Sequence, residues 1–445
     1  LKEEIVIKKA KEEGFLERFF QLGENGTDVR TEILAGFTTF VTMAYIILVN
    51  PIILKDAGLD QGAVFMATAL AAAISTLFMG LYANYPFALA PGMGLNAFFA
   101  YVMVGKMGIP WQTALGAVFL SGIIAVIVTL TGLRELLIKA IPLPLKHAVG
   151  AGIGLFIAFI GFKNAGIVVS NPATFVDLGN FKDPGTLLAT IGLIITAVLV
   201  ARGVRGGMLL GIIITTILGI PMGITKIPST LISAPPSMAP GFLKLDIMGA
   251  LKVSMYPVIF SLFFADLFDT IGTFVGVASR TGMIDENGNL KRGNKALFAD
   301  SLGTVIGSLL GTSNTTTYVE SAAGVSAGGR TGLTSVVVSL LFIASIIFSP
   351  IALAVPSQAT APALIIVGIF MASSLNEIKF SDFYEAFPAF LTAILMPLTF
   401  SISLGLAVGF VAYALLMTLS GRSKEVHWVM YILAVTFILY FIYVR

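Results

Sequence analysis

Apolar blocks, most of them long enough to cross a bilayer, follow one another along the chain with short polar seams between them. Seven fall at approximately 31–52, 62–83, 86–104, 111–131, 144–161, 184–202 and 207–222. A polar, proline-rich connection from Thr225 to Leu245 follows. Seven more blocks come after it, at approximately 249–276, 296–310, 316–328, 331–350, 353–373, 384–399 and 401–419. The pattern predicts an all-α polytopic membrane protein of 14 spans. Before the first block, Glu3 to Phe20 alternates charged and apolar residues with a helical period, which predicts an amphipathic surface helix, and Gly23-Glu24-Asn25-Gly26 reads as a turn. The last apolar stretch, Val426 to Val444, is either a fifteenth span or an interfacial helix.

Two spans break the pattern. From Gly311 to Gly329 the chain reads GTSNTTTYVESAAGVSAGG, with threonines, an asparagine and a carboxylate where lipid tolerates none of them uncovered. Its counterpart is Tyr85 to Asn96, YPFALAPGMGLN. Each is the third span of its half, and seven spans per half requires the second half to be inverted relative to the first. Ile141-Pro142 and Val355-Pro356 also match, each preceding a glycine-containing apolar helix. The expected organisation is therefore an N-terminal segment 1–30, a first repeat 31–222, a connection 223–248, a second repeat 249–421 and a C-terminal helix 422–445. With the N-terminus cytoplasmic, Arg134, Lys139, Arg202, Arg205, Arg280, Lys291, Arg292, Lys295, Arg330 and Lys379 all fall on the inner side. The outer side keeps Lys55, Lys106, Lys163, Lys182, Lys226, Lys244 and Lys252.

Composition narrows the class. Hydrophobic residues are 57% of the 445, charged ones 11%, and mean hydropathy is +0.95, which excludes a soluble domain. A net charge of +3 from scattered cations gives no nucleic-acid footprint. Cysteine is absent, so disulfides and thiolate metal sites are excluded, and His147 and His427 are too far apart in sequence to suggest a metal site. No cleavable leader is read in the polar start, so the first span is expected to serve as insertion signal. The only Gly-Lys pair is followed by Met107, so there is no phosphate loop and no ATP use is expected. Asp285 to Lys291 has part of a calcium-loop pattern and reads as a solvated turn.

The chemistry concentrates in the broken spans and the two blocks before the second of them. Each broken span reads as an extended piece followed by a half-helix, with Pro91 in the first turn of one and Thr317 as N-cap of the other, three residues before Glu320. Free N–H groups and the positive dipole ends of two half-helices would then meet near the bilayer centre. Asp266 and Asp269 lie one helical turn apart in the eighth span, and Asp300 is in the ninth. Three ionised carboxylates at that depth would cost on the order of 10 kcal/mol, comparable with the stability of a whole protein, so they are expected to work and not all to be charged.

The same residues resemble a known family. GFTTFVTMAYIILVNP from Gly36, ANYPFALAPGMGLNAFFAY from Ala83, ADLFDTIGTFVG from Ala265 and NTTTYVESAAGVSAGGRTGL from Asn314 are similar to the nucleobase-ascorbate transporter superfamily, and within it to the guanine, hypoxanthine and adenine permeases. The resemblance covers Thr31 to Gly421. It implies a seven-plus-seven inverted repeat divided into a core domain (spans one to four and eight to eleven) and a gate domain (the remainder). It further implies proton-coupled purine uptake by alternating access across the plasma membrane, and a homodimer. By motif, it implies that Asp269 and Glu320 bind the base, with Phe87 beside it, Asn96 as a polar residue of the purine branch, Thr273 in the span-eight motif, and Tyr318 and Val319 offering backbone groups. Asp269, Asp266, Asp300 and Glu320 are then the candidates for carrying the proton. Span eight carries Asp where much of the superfamily has Glu, which leaves room for a bicyclic base. Two other readings stay open on the residues alone: an anion carrier or channel using the half-helix dipoles, and a membrane-embedded aspartyl hydrolase using Asp266, Asp269 or Asp300.

Overall fold

The computed structural model describes residues 14–278 and 292–443, and within them the apolar blocks are helices. In the first half α1 is Phe15–Phe20, α2 Val29–Met43, α3 Ile46–Lys55, α4 Gln61–Phe78, α5 Met93–Ala97, α6 Trp111–Leu130, α7 Leu133–Ala140, α8 Leu143–Asn164, α9 Pro184–Ala201 and α10 Gly207–Leu218. In the second, α11 is Ile247–Ala250, α12 Tyr256–Ala278, α13 Gly293–Leu310, α14 Ser321–Ser326, α15 Gly332–Ser345, α16 Ser349–Ala354, α17 Ser357–Ala372, α18 Phe383–Thr399, α19 Ile402–Leu419 and α20 Trp428–Tyr443. Short polar side chains set many of the starts. Asp28, Asp60, Asp183, Asp246, Asp382 and Ser401 each accept a bond from a backbone N–H of the first turn that no helical carbonyl can reach.

Among the described residues nine stretches are long and apolar enough to cross a membrane, and three shorter apolar helices join them: Gly207–Leu218, Phe383–Thr399 and Trp428–Ile438. The helices pack as two groups. One holds α8, α9, α10, α17, α18 and α19; the other holds α2 to α6 and α12 to α15. The first group is centred on α8 and α17, the two helices that follow Ile141-Pro142 and Val355-Pro356. They approach closely because Gly154 meets Gly368, where an added Cβ on Gly154 would sit 2.8 Å from the Gly368 carbonyl oxygen.

The interrupted spans meet as expected. β1 (Leu89–Pro91) pairs antiparallel with β4 (Thr315–Thr317), with Leu89 opposite Thr317 and Pro91 opposite Thr315. The ribbon is closed at both ends, by Gly92 N–H to the Asn314 carbonyl at 2.8 Å and Tyr318 N–H to the Ala88 carbonyl at 2.9 Å. Backbone groups that lipid would leave unpaired are thereby satisfied inside protein. The cap positions differ from expectation. Pro91 lies in β1 and α5 starts after Gly92, while Thr317 lies in β4 and α14 starts after Glu320, whose side chain makes no cap bond. Strand pairing and a carboxylate on α13 claim Thr317 before any helix can.

Several features carried no sequence signal. The first span is broken at Ala44-Tyr45, between α2 and α3, and β2 (Val168–Asn171) with β3 (Phe175–Leu178) forms a hairpin after α8. The connection is tied down over one end of the helices by Ser233 N–H to Ile347, Leu243 N–H to Leu309 and Asp246 N–H to Gln112. Of the amphipathic segment, α1 is within the described residues, with Phe20 and Leu22 buried against Leu333; Asp285 to Lys291 lies outside them. α20 packs back on the bundle, with the Phe437 ring against Phe260 and Phe410.

Candidate functional site

Beside the ribbon, α12, α13 and β4 bring the four acids together in different settings. Asp300, on α13, is buried. Its Oδ1 accepts from the Thr317 N–H at 2.9 Å and the Thr317 hydroxyl at 3.0 Å, and its Oδ2 accepts from the Thr270 hydroxyl at 2.7 Å. The Arg134 guanidinium lies 3.9 Å from the same Oδ2. Arg134 is 4% exposed and also donates to the Thr129 hydroxyl, the Leu297 carbonyl and the Ser301 hydroxyl. Asp300 therefore ties β4 to α12 and α13 and has its own cation.

Asp266 is buried one turn before Asp269. Its Oδ2 accepts from the Thr304 hydroxyl at 3.2 Å and the Asn314 amide at 3.5 Å, while Oδ1 has no partner among the described residues.

Asp269 and Glu320 are the two acids that reach open space. Asp269 is half-buried, with Oδ2 accepting from the Thr316 hydroxyl at 3.2 Å. Glu320 is half-buried too, with Oε1 accepting from the Tyr45 hydroxyl at 2.6 Å. Each acid thus has one oxygen held by a hydroxyl from another span. Gly272 is exposed, with nothing within 4 Å of where a Cβ would project, and Thr273 beside it is half-buried. Val319 is 46% exposed, and Ser326 further along α14 is exposed as well. These residues are the exposed part of the acid cluster, on α12 and at the start and along the length of α14.

At the opposite end the two helix groups are joined. Tyr101 donates to Asp56 at 2.9 Å and accepts from Asn164 at 2.8 Å, and Lys106 donates to the Thr399 carbonyl at 2.8 Å. The Lys163 ammonium lies over the Tyr101 and Phe400 rings.

The remaining sequence candidates are close by with other contacts. Asn96 is buried, donates to the Pro91 carbonyl at 3.4 Å and accepts from the Ser313 hydroxyl, so it laces the two broken spans together. Tyr318 donates its hydroxyl to the Pro91 carbonyl at 2.6 Å and its N–H to the ribbon, and the exposed Val319 follows it, two residues before α14. The Phe87 ring is enclosed between Tyr85 at 4.9 Å and Phe274 at 5.2 Å. Tyr45, Thr316, Thr270 and Arg134 were missed as site residues. No group of three or more histidines, cysteines or carboxylates among the described residues is arranged to hold a metal.

Comparison with known proteins shows the family and the fold. A family model described as "Permease family" matches residues 30–408. The chain is 54% identical over 429 residues to a putative permease of Methanocaldococcus jannaschii, covering 96% of this chain and 98% of that one. It is 49% identical to the guanine/hypoxanthine permease PbuG of Bacillus subtilis, covering 97% and 100%, and 46% identical to the adenine permease AdeP of Escherichia coli, covering 97% of each. Among solved structures, the transmembrane domain of the cyanobacterium bicarbonate transporter BicA shares the fold with TM-score 0.63 at 16% identity, over 85% of this chain and 97% of that one. Murine solute carrier 26 family member A9 does so with TM-score 0.62 at 13% identity, over 88% and 68%.

Proposed function

The chain belongs to the permease family matched over residues 30–408, the nucleobase-ascorbate transporter family, and on that premise we propose that it carries purine nucleobases across the membrane. It is a multi-pass membrane transporter and not an enzyme. The relatives named as adenine and guanine/hypoxanthine permeases support a nucleobase substrate. The observation that carries the assignment of the site is the pair Asp269 and Glu320, half-buried acids beside the ribbon, each held by a hydroxyl through one oxygen. A purine edge presents N–H donors, which carboxylate oxygens accept, and acceptors, which the Val319 N–H meets. Asp300 is the anchor of the ribbon, and Asp266, with an oxygen unmatched, is the better placed of the two buried acids to take up a proton.

The remaining parts of the proposal are fourteen spans in a seven-plus-seven inverted repeat, a cytoplasmic N-terminus in the plasma membrane, a homodimer and a proton as the coupling ion. A proton moving down about 100 mV and one pH unit supplies roughly 3.7 kcal/mol, enough for a several-hundredfold gradient. With the N-terminus cytoplasmic, the exposed faces of α12 and α14 are read as the inner entrance and the Tyr101–Asn164 and Lys106–Thr399 contacts as the outer closure. Alternating access requires those contacts to part. An anion carrier of this fold is disfavoured, because two carboxylates would face its substrate.

Uptake of radiolabelled hypoxanthine into proteoliposomes, with unlabelled nucleobases as competitors at two pH values, tests the reading. Competition by guanine and adenine, with faster uptake from the more acidic side, is expected. Uptake indifferent to every nucleobase would overturn it.

A further inference from the structure

Tyr45 falls in the break between α2 and α3, in a run of residues so apolar that its sequence setting reads as core. Its ring is indeed 1% exposed. Its hydroxyl, however, leaves the apolar packing and donates to Glu320 Oε1 at 2.6 Å, across a sequence separation of 275 residues. Glu320 makes no side-chain cap bond to α14; besides its own backbone N–H, this hydroxyl is what holds its carboxylate.

The helices are spaced to allow it. α2 lies directly on α14 at Gly324, where an added Cβ would sit 2.6 Å from the Ala35 carbonyl oxygen and would strike the Thr39 hydroxyl. Helices in contact at a glycine stand close enough for the next side chains along to bridge them. The break at Ala44-Tyr45 follows one turn and more beyond Thr39, where the bridge to Glu320 is needed.

We propose that Tyr45 is a positioning residue for the substrate, holding Oε1 of the half-buried Glu320 carboxylate in the orientation in which the group accepts a purine N–H. This rests on the reading of Glu320 as a base-binding acid. A glutamate has three side-chain torsions to restrict, and a carboxylate already held in its binding orientation does not pay that ordering cost when the base arrives. Phenylalanine at the same position would keep the packing and remove only the anchor. Hydrogen bonds to charged groups of this kind correspond to roughly a ten- to hundredfold change in affinity.

The test is equilibrium binding of radiolabelled hypoxanthine to the purified full-length protein, with maximal uptake rate measured alongside. Wild type that binds no purine would remove the underlying reading, and this inference with it. Given wild-type binding, Tyr45→Phe should raise Kd about tenfold or more while the ligand-free melting temperature and the saturated uptake rate stay near wild type. An unchanged Kd, or a loss confined to the maximal rate, overturns the proposal. Should Tyr45→Phe prove poorly folded, Glu320→Asp provides the second arm, since it withdraws the carboxylate from the hydroxyl and keeps its charge. Weakened binding by Glu320→Asp alone is expected and binding as tight as wild type overturns the proposal; where Tyr45→Phe folds, Tyr45→Phe/Glu320→Asp should show no further loss, and losses that add in full overturn it.

Discussion

Replacing Arg134 by methionine tests whether Asp300 is an anchor or a moving part. The guanidinium is buried, 3.9 Å from Asp300 Oδ2, and gives three more bonds at 3.1 to 3.2 Å to Thr129, Leu297 and Ser301. At an effective dielectric of about 20 the charge pair alone is worth roughly 4 kcal/mol. Removing one member of a buried pair costs about 3–5 kcal/mol, because the other charge is stranded. Against a total stability on the order of 10 kcal/mol that is a large fraction. Arg134→Met should therefore melt far below wild type in detergent, monitored by thermal unfolding with size-exclusion recovery. Arg134→Met/Asp300→Asn should regain most of the loss. The amide oxygen can still accept from the Thr317 N–H, and no charge is left uncompensated. The double variant should also keep hypoxanthine binding and pH-driven accumulation, because Asp300 is buried and its oxygens are taken by Thr317, Thr270 and Arg134. A single variant as stable as wild type, or a double variant no better than the single, would refute the reasoning.

Other consequences follow from the packing. Gly324→Val drives a side chain into Ala35 and Thr39 and should cost about 1–3 kcal/mol and abolish uptake, read from surface expression and transport together. Glu32 is buried and accepts from the N–H groups of Arg330, Thr331 and Thr334 and from the Thr334 hydroxyl at 2.6 Å, capping α15. Glu32→Ala leaves those groups unpaired and should lower stability by about 3 kcal/mol or more, measured by thermal unfolding. On the connection between the two halves, the Gly249 N–H and the Thr113 hydroxyl hold the Asp246 carboxyl below its ordinary value of 3.8. Its contribution to stability is complete above the unfolded-state value and is lost as pH falls through the lower folded-state one. Melting curves of wild type should thus drop on acidification below pH 4 more steeply than those of Asp246→Asn.

What the sequence shows plainly is what lipid forbids. Thr315 to Thr317 and Asn314 within a span have no stable setting except inside protein, and a second broken span in the matching position supplies the partner strand. Asp269 and Glu320 stand out in the sequence for the same reason, since a carboxylate at that depth needs a purpose. The local cap signal misled at Thr317, because a threonine three residues before a glutamate looks alike whether the backbone is a helix start or a strand. Arg134 was hidden by its neighbourhood: between two spans it reads as one more inner-side cation, and its partner Asp300 is 166 positions away, beyond any periodicity. Tyr45 was hidden by its own ring, which is apolar everywhere except at the atom that matters.

The central claim is that Asp269 and Glu320, beside the paired strands β1 and β4, both receive the purine. Equilibrium binding of radiolabelled hypoxanthine to purified wild type, Asp269→Asn and Glu320→Gln tests it most directly. The account predicts saturable binding to wild type, displaced by guanine and adenine, and a loss of about tenfold or more in each variant. Binding of equal strength in all three proteins would contradict it.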